Sequence, residues 1–444
     1  MKTIFITSYH GLIARNILET DILPILNAHN IKIVILVPPS KTDYFRDNFK
    51  DKSIEVIGIK PKENFLDGWL YFVSIALVSV ENLFIWGLRR KRRYIKFYTA
   101  HLIYYLFSKI FIFKKVLRLI FRTFARKNTY IDLFNQYKPD LVFSTDIYDT
   151  NDRDLTEEAK RYGVLTIGMV RSWDNVTTKG VMLAIPDKII VASNILRDEL
   201  WEYNKIKKDK IFISGIPHYD ACLNPREVSR EKFFEEMKLD LGKKVIIFCP
   251  TGARQYQYDG ETLKLFQDFK DRNLFSKRVQ FLVRFPPSDT IKLNGFIRDP
   301  DFVFDEPGLN INGVKKESEF TREDAGHLND SLYYSDIVIT TGSTMMIDAA
   351  AFNRPSILLF FDAKKDNSDG IKKFSSYMHL KKFLRLGSCR IAKNSHELLE
   401  QINNYLDNPI LDAEKRKKML EEYCYKLDGK SSNRVSQFLL TNLD

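Results

Sequence analysis

Asp336-Ile337-Val338-Ile339-Thr340-Thr341-Gly342-Ser343-Thr344-Met345 reads as a short buried strand ending in a glycine turn. A run of good helix formers, Met346 to Phe352, follows at once. Strand, glycine turn and helix in immediate succession form the repeating unit of a parallel sheet covered by helices. The free amides and positive dipole end of such a helix attract phosphate, and the Ser343 and Thr344 hydroxyls add donors beside Gly342. Asp348, one turn further on, is placed to reach a ribose hydroxyl. Each also has a plainer reading, Ser343 or Thr344 as an N-cap and Asp348 as a complement to the helix dipole.

Outward from this stretch the unit recurs. In the second half Val245–Cys249, Gln280–Arg284, Phe302–Phe304 and Ser356–Phe360 are strand-like; in the first, Thr3–Thr7, Lys32–Val37, Leu141–Ser144, Leu165–Met169, Lys188–Ala192 and Ile211–Ser214. Helical patterns lie between them, including Ile13–His29, Leu155–Tyr162, Ile195–Tyr203 and Gly260–Asp271. A polar, charged stretch from Asn224 to Lys244 separates the two sets. The expected architecture is α/β. Two doubly wound, Rossmann-like domains, residues 1–224 and 240–410, flank a cleft, and a helical segment, 411–444, follows.

In such sheets ligands sit at the carboxyl ends of the strands, so strand ends are where chemistry is sought. Cys249-Pro250-Thr251-Gly252-Ala253-Arg254 follows one strand and Arg284-Phe285-Pro286-Pro287 another. Thr251, Arg254 and Arg284 are expected to converge on a pyrophosphate, with surface arginines in unrelated turns as the alternative. In the first half, Arg171-Ser172-Trp173-Asp174-Asn175-Val176-Thr177-Thr178-Lys179-Gly180 follows a strand. Asp174 is the candidate general base, with Trp173, Asn175 and Lys179 as acceptor-binding groups. The alternative is an Asx-turn running into an ST-turn. His10, just past the first strand, is a second base candidate.

The charge is concentrated. The 444 residues carry 69 Lys/Arg and 57 Asp/Glu, a formal net charge of +12. Between Asn82 and Ile131 stand 13 Lys/Arg and no acid, so the rest of the chain is near neutral. Within this block Arg89, Arg90, Arg92 and Arg93 cluster beside Trp86. Lys114, Arg118, Arg122 and Arg126 recur every four residues, with Phe113, Leu117, Phe121 and Phe124 at the complementary spacing. A basic, aromatic helical insertion, residues 66–130, docking on an anionic membrane surface is the expectation. Packing on the protein's own core and phosphate binding on nucleic acid are the alternatives; no nucleic-acid motif accompanies the block, so no nucleic-acid partner is expected. Leu70–Leu88 approaches the length of a membrane span, but Glu81 and Asn82 at its centre argue against one.

Cys222, Cys249, Cys389 and Cys424 lie far apart, which suits a reducing cytosol, and the opening Met1–Gly11 does not read as a signal peptide. No metal-ligand spacing, Walker A sequence, nucleophile elbow or dinucleotide fingerprint is present, so neither a metal nor a cofactor is expected.

Taken in order, these motifs resemble the GT-B glycosyltransferase superfamily. Within it they are nearest to the CDP-glycerol glycerophosphotransferase and capsule-polysaccharide group. The residues that carry the resemblance are Pro250-Thr251 with Arg254, Ser343-Thr344 with Asp348, and Asn353-Arg354-Pro355. Asp428-Gly429-Lys430-Ser431 near Asn433-Arg434, and Gly215-Ile216-Pro217-His218-Tyr219-Asp220, complete the set. The resemblance implies a GT-B fold and transfer from a nucleotide-activated donor. Three departures qualify it. Trp173-Asp174-Asn175 stands where the glycerophosphotransferases carry Trp-His-Gly, Phe285 stands where they carry a His, and no Glu-x7-Glu pattern is present. The leading expectation is therefore an inverting, metal-independent sugar transferase. It would take a nucleotide-sugar, act on a glycan or lipid-linked acceptor of a surface polysaccharide, and sit peripherally on the cytoplasmic membrane face. The alternatives are transfer of a CDP-linked polyol phosphate, as in teichoic-acid synthesis, and a non-catalytic membrane-associated scaffold.

Overall fold

The computed structural model describes residues 1–60, 66–125, 128–224, 226–250, 252–253, 259–311, 318–366 and 377–443. Seven strands form the first sheet: β1 (Thr3–Thr7), β2 (Lys32–Val37), β3 (Ile54–Gly58), β4 (Leu141–Ser144), β5 (Leu165–Met169), β6 (Lys188–Val191) and β7 (Ile211–Ile213). Six form the second: β8 (Lys244–Cys249), β9 (Val279–Arg284), β10 (Phe302–Asp305), β11 (Ile337–Thr340), β12 (Ser356–Leu359) and β13 (Cys389–Ala392). Their orders are β3-β2-β1-β4-β5-β6-β7 and β10-β9-β8-β11-β12-β13, parallel throughout. Both are doubly wound, with the order reversing between β1 and β4 and between β8 and β11, where ligands are held in such folds.

The near-continuous Ile, Val and Phe of the central strands follow from burial on both faces, as in Ile4, Phe5 and Ile6 or Ile246, Ile247 and Phe248, all fully buried. The two strands absent from the sequence reading, β3 and β13, lie at sheet edges. Each is only partly buried, which erases the apolar run. The pattern Ile13–His29 is not one helix. Pro24 cannot extend a helix backward, and Thr20 Oγ1 donates to the Ile17 carbonyl at 2.7 Å, so a helical turn, Ala14–Leu18, precedes a separate helix, Ile22–Ala28.

The chain divides into two compact units. The first comprises Met1–Asp220, Tyr377–His379 and Glu422–Asp444, and the second Ala221–Ser376 and Leu380–Glu421. The closing helix, Ser431–Thr441, thus belongs with the first sheet, where Val435, Leu439 and Leu443 complete a core built on Ile4, Ile33 and Phe143. Two motifs meet here. Asp220 accepts the Ser431 and Ser432 backbone N–H groups at 3.0 and 2.7 Å and so caps this helix from a distant part of the chain. Arg434 pairs with Asp428 and donates to the Ser214 carbonyl at 2.6 Å.

Between β3 and β4 four helices form the insertion: Asp67–Ala76, Leu83–Arg90, Tyr94–Phe107 and Phe111–Phe124. The apolar run Leu70–Leu88 is broken at Asn82, whose Oδ1 accepts from Ile85 N at 3.0 Å and starts a new helix. Among the described residues no helix is long and apolar enough to cross a membrane.

Two cations of the stripe on helix Phe111–Phe124 turn inward, against the expectation. Lys114 is buried and donates to the Tyr203 carbonyl at 2.8 Å. Arg118 reaches the carbonyls of Met182 and Asn204 at 3.0 and 2.9 Å. Tyr203 and Asn204 end the helical turn Leu200–Asn204, and the two cations satisfy carbonyls that a helix terminus leaves open at its negative pole. Burial lowers the Lys114 pKa to about 8 and that of Arg118 to about 10. Leu117 and Phe121 of the expected apolar face are buried beside them, so the exposed side carries Ile112, Val116, Leu119 and Phe124 with Lys115 and Arg122. Arg89, Arg92 and Arg93 are exposed, Arg89 lying over the rings of Trp86 and Phe97. Arg126 and the side chain of Arg90 lie outside the described residues.

Candidate functional site

The switch point of the first sheet is lined by acids. Thr145 and Asp146 continue the chain past β4, and β1 ends in Thr7. Thr7 Oγ1 accepts the Thr145 N–H at 2.9 Å and donates to Asp152 Oδ1 at 2.5 Å. Asp149 caps helix Thr150–Arg161 through Asn151 N at 2.8 Å. Burial first, and the neighbouring Asp149 second, hold the Asp152 carboxyl well above the usual range. Asp146 pairs through Oδ2 with Arg171 Nε at 2.6 Å, while its buried Oδ1 has no hydrogen-bond partner among the described residues.

His10 lies just past β1. Its Nδ1 accepts the Leu12 N–H at 3.2 Å, which places the neutral ring's proton on Nε2. Although solvent reaches the side chain, crowding by protein atoms, with Arg171 next in weight, lowers its pKa to about 4. At neutral pH His10 is therefore set up to donate a hydrogen bond through Nε2 rather than to accept a proton.

Asp174 begins the short helix Asn175–Thr178. Its carboxylate is oriented by two hydroxyls, Ser172 Oγ at 2.6 Å on Oδ1 and Thr178 Oγ1 at 3.1 Å on Oδ2. The Thr177 and Thr178 hydroxyls also donate to its carbonyl, and its carboxylate makes no cap bond to the helix, so these bonds are not the Asx-turn and ST-turn of the plainer reading. Trp173 meets Tyr423 and His379 edge-on at 5.6 and 5.2 Å. Asn175 is buried, with its Nδ2 unbonded. Lys179 closes the turn, and Gly180 follows at φ 88, where a Cβ would lie 2.4 Å from the Ser74 backbone. Only glycine lets this loop pack so closely on the insertion.

The second sheet presents donors instead. Gly342 takes φ 108 at the end of β11. Ser343 Oγ lies 3.1 Å from Thr340 Oγ1 and accepts the Met345 N–H at 3.2 Å, so it pins the turn; Thr344 is exposed. Asp348 is buried in helix Met345–Ala351. Arg284, at the end of β9, is 4% exposed. Its Nη1 donates to Asp305 at the end of β10, and its buried Nη2 has no partner among the described residues. His327 Nε2 lies 3.3 Å from the same Asp305. Burial would raise the Asp305 pKa, but the His327 bond and the Arg284 charge outweigh it and hold the carboxyl below its ordinary value. Arg284 is thus not a surface arginine in an unrelated turn. Thr251 and Arg254 lie outside the described residues.

Sequence reasoning missed Asp146, Asp152, Arg171, Asp305, His327 and His379 as parts of these surroundings. Asp146 and Asp305 each stand at a strand end, a signal open to reading. His379 carries no sequence signal, because only the fold brings it to Trp173.

Comparison with known proteins adds three findings. The chain is 22% identical over 232 residues to the teichoic acid ribitol-phosphate polymerase TarK of Staphylococcus aureus, covering 52% of this chain and 40% of that protein. It is 23% identical over 257 residues to the teichoic acid poly(ribitol-phosphate) polymerase of Bacillus spizizenii, covering 56% and 36%. The chain therefore spans less than half the length of these relatives. In fold it is similar to the wall teichoic acid polymerase TagF, at TM-score 0.53 and 13% identity over 100% of this chain and 89% of that one. It is also similar to the UDP-GlcNAc 2-epimerase of Neisseria meningitidis, at TM-score 0.57 and 12% identity over 99% and 100%. The model of one family matches residues 92–441, which include Asp146 to Asp174 and Arg284 to Asp348 but not Thr7 and His10, and the chain belongs to that family, the CDP-glycerol:poly(glycerophosphate) glycerophosphotransferases.

Proposed function

We propose that this chain is a transferase that moves a polyol phosphate from a CDP-linked donor to the end of a teichoic-acid-type polymer. The observation that carries the reading is the family match across residues 92–441. It moves the polyol-phosphate alternative ahead of sugar transfer. In this reading an acceptor hydroxyl oxygen bonds to the phosphorus that carries the polyol, and the bond from that phosphorus to CMP breaks. Asp174 takes the hydroxyl proton, with Trp173, Asn175 and Lys179 holding the acceptor and His10 donating through Nε2. The Gly342, Ser343 and Thr344 turn, Asp348 and the free Nη2 of Arg284 hold the donor and its leaving phosphate. Thr251 and Arg254 keep the donor role read from the sequence. No metal or cofactor is assigned a part.

Sugar transfer stays as a second reading because, by the resemblance, Asp174 and Phe285 take the places of two family histidines. Offering CDP-glycerol, CDP-ribitol and nucleotide-sugars with a phosphopolyol acceptor decides between them. CMP release with a new phosphodiester in the 31P spectrum supports polyol-phosphate transfer. Nucleoside diphosphate release with a phosphorus-free mass increment overturns it in favour of sugar, and no turnover of any donor leaves the scaffold.

We place the protein peripherally on the cytoplasmic face of a membrane. Of the 21 large apolar side chains left exposed among the described residues, 12 lie between Trp69 and Phe124. That concentration, beside Arg89, Arg92, Arg93 and Arg122, supports docking through an apolar face with a cationic rim. Lys114 and Arg118 take no part, being used inside.

A further inference from the structure

A groove of about 280 Å³ opens among helices Asp67–Ala76, Tyr94–Phe107 and Phe111–Phe124. Trp69, Val73, Ile103, Val116 and Ile120 are among its walls, and every lining residue except Thr99 is apolar. The Thr99 hydroxyl is spent on the Ile95 carbonyl at 2.8 Å. Water entering such a groove finds no polar partners, so a hydrocarbon occupant gains what water forfeits. Around it the surface stays apolar, with Tyr98 66% and Leu119 63% exposed.

The charge around the groove narrows the occupant. Exposed Lys96 stands one turn before Thr99, and exposed Lys115 adjoins Val116. No carboxylate occurs from 82 to 131 to neutralise them. A second copy of this chain would bring the same cations against them, and an uncharged apolar segment would leave them unmatched. A hydrocarbon chain ending in a phosphate satisfies both features.

We infer that this groove holds one acyl chain of an anionic phospholipid, with the lipid phosphate on Lys96 and Lys115. The inference extends the membrane docking proposed above from surface contact to capture of a single chain, and it fails separately from that reading.

The test titrates the full chain by calorimetry with monomeric n-alkyl phosphates, hexyl to dodecyl, each below its micelle concentration. Affinity should rise about fourfold per methylene until the groove is full and then level off. Thr99→Phe, at an exposed position, fills the groove and should weaken decyl phosphate at least tenfold with the thermal midpoint unchanged; Val116→Glu should do the same. Decyl trimethylammonium should bind at least tenfold more weakly than the phosphate. Equal binding by parent and Thr99→Phe overturns the inference, as does a rise with chain length that never levels, which marks partition onto the open face. A concentration-dependent dimer abolished by Thr99→Phe, with no alkyl phosphate binding, overturns it in favour of a second copy. If Leu119→Glu loses anionic-vesicle binding yet keeps decyl phosphate affinity, the groove stands by itself. If the parent ignores vesicles but binds decyl phosphate with a plateau, only the docking reading falls.

Discussion

At the β1/β4 end of the first sheet Asp146, Asp149 and Asp152 gather, with Arg171 and a neutral His10 beside them, and Asp174 follows β5, one strand over. At the β8/β11 end of the second, the corresponding ground holds a glycine turn and, one strand over, a buried guanidinium whose Nη2 is unspent. The topology is the same at both ends and the chemistry is opposite. Carboxylates held by hydroxyls suit proton transfer, whereas a buried guanidinium suits an anion. Doubly wound sheets fix where a ligand goes, and the residues just beyond each strand decide which kind.

That contrast breaks most sharply at Asp174. Asp174→Asn keeps the size and the Ser172 and Thr178 partners but removes the proton acceptor, so turnover should fall roughly 10²–10⁴-fold while donor affinity holds. Single-turnover rates and donor titration separate the two quantities. Near-parent turnover would move the base elsewhere, with Asp146 the next acid to test.

Arg284→Ala addresses the other end. Losing a charge-assisted donor should weaken CDP-linked donor binding roughly 10- to 150-fold, about 1.5–3 kcal/mol, without a comparable loss of acceptor binding. Because Asp305 would then be left buried with only His327 beside it, the double variant Arg284→Leu with Asp305→Leu guards against misreading a folding defect. Equal donor affinity in both variants, measured on folded protein, removes the anion role from this end.

Asp220→Ala touches neither constellation and should leave both affinities intact. It strips the cap from helix Ser431–Thr441 and should cost about 1–2 kcal/mol, read as a lower urea midpoint of the first unit. The smallest effect is a pH slope. Burial, then Arg15, hold the His218 pKa well below 6.5, so the unfolded chain takes the proton first. The stability this neutral ring contributes is present above about pH 6.5 and is lost as pH falls below it. Asp152, raised by burial, works in the opposite sense, weakening the fold as pH rises. The difference between parent and His218→Gln between pH 7 and 5 isolates the histidine, and His218→Gln should show the shallower loss.

How legible all this was depends on what each residue does. Central strands such as β1, β4, β8 and β11 were readable because burial on both faces leaves an uninterrupted apolar run. Edge strands β3 and β13 were not, since half-exposed strands look like loops. Asp174 stood out as a candidate because its loop follows a strand directly. His327 and Asp305, which meet around Arg284 from separate elements, were invisible to spacing. The stripe Lys114, Arg118, Arg122 and Arg126 shows the limit most clearly: periodicity gives the faces but not where the buried side falls, and here it takes in Lys114 and Arg118 together with Leu117 and Phe121. The usual prior puts cations outward, and here the open carbonyls of Tyr203 and Asn204 drew two of them in.

The placement of helix Ser431–Thr441 has a consequence during synthesis. Every strand of the first sheet has left the ribosome by Ile213, yet Val435, Leu439 and Leu443 are made only after the whole of the second unit. The N-terminal core must therefore wait, with apolar surface uncovered, while some 200 further residues emerge at about 5–20 per second. The unit begun first is finished last. Premature release of the nascent chain would leave a finished second unit attached to an N-terminal half with an open core, the form most prone to aggregate.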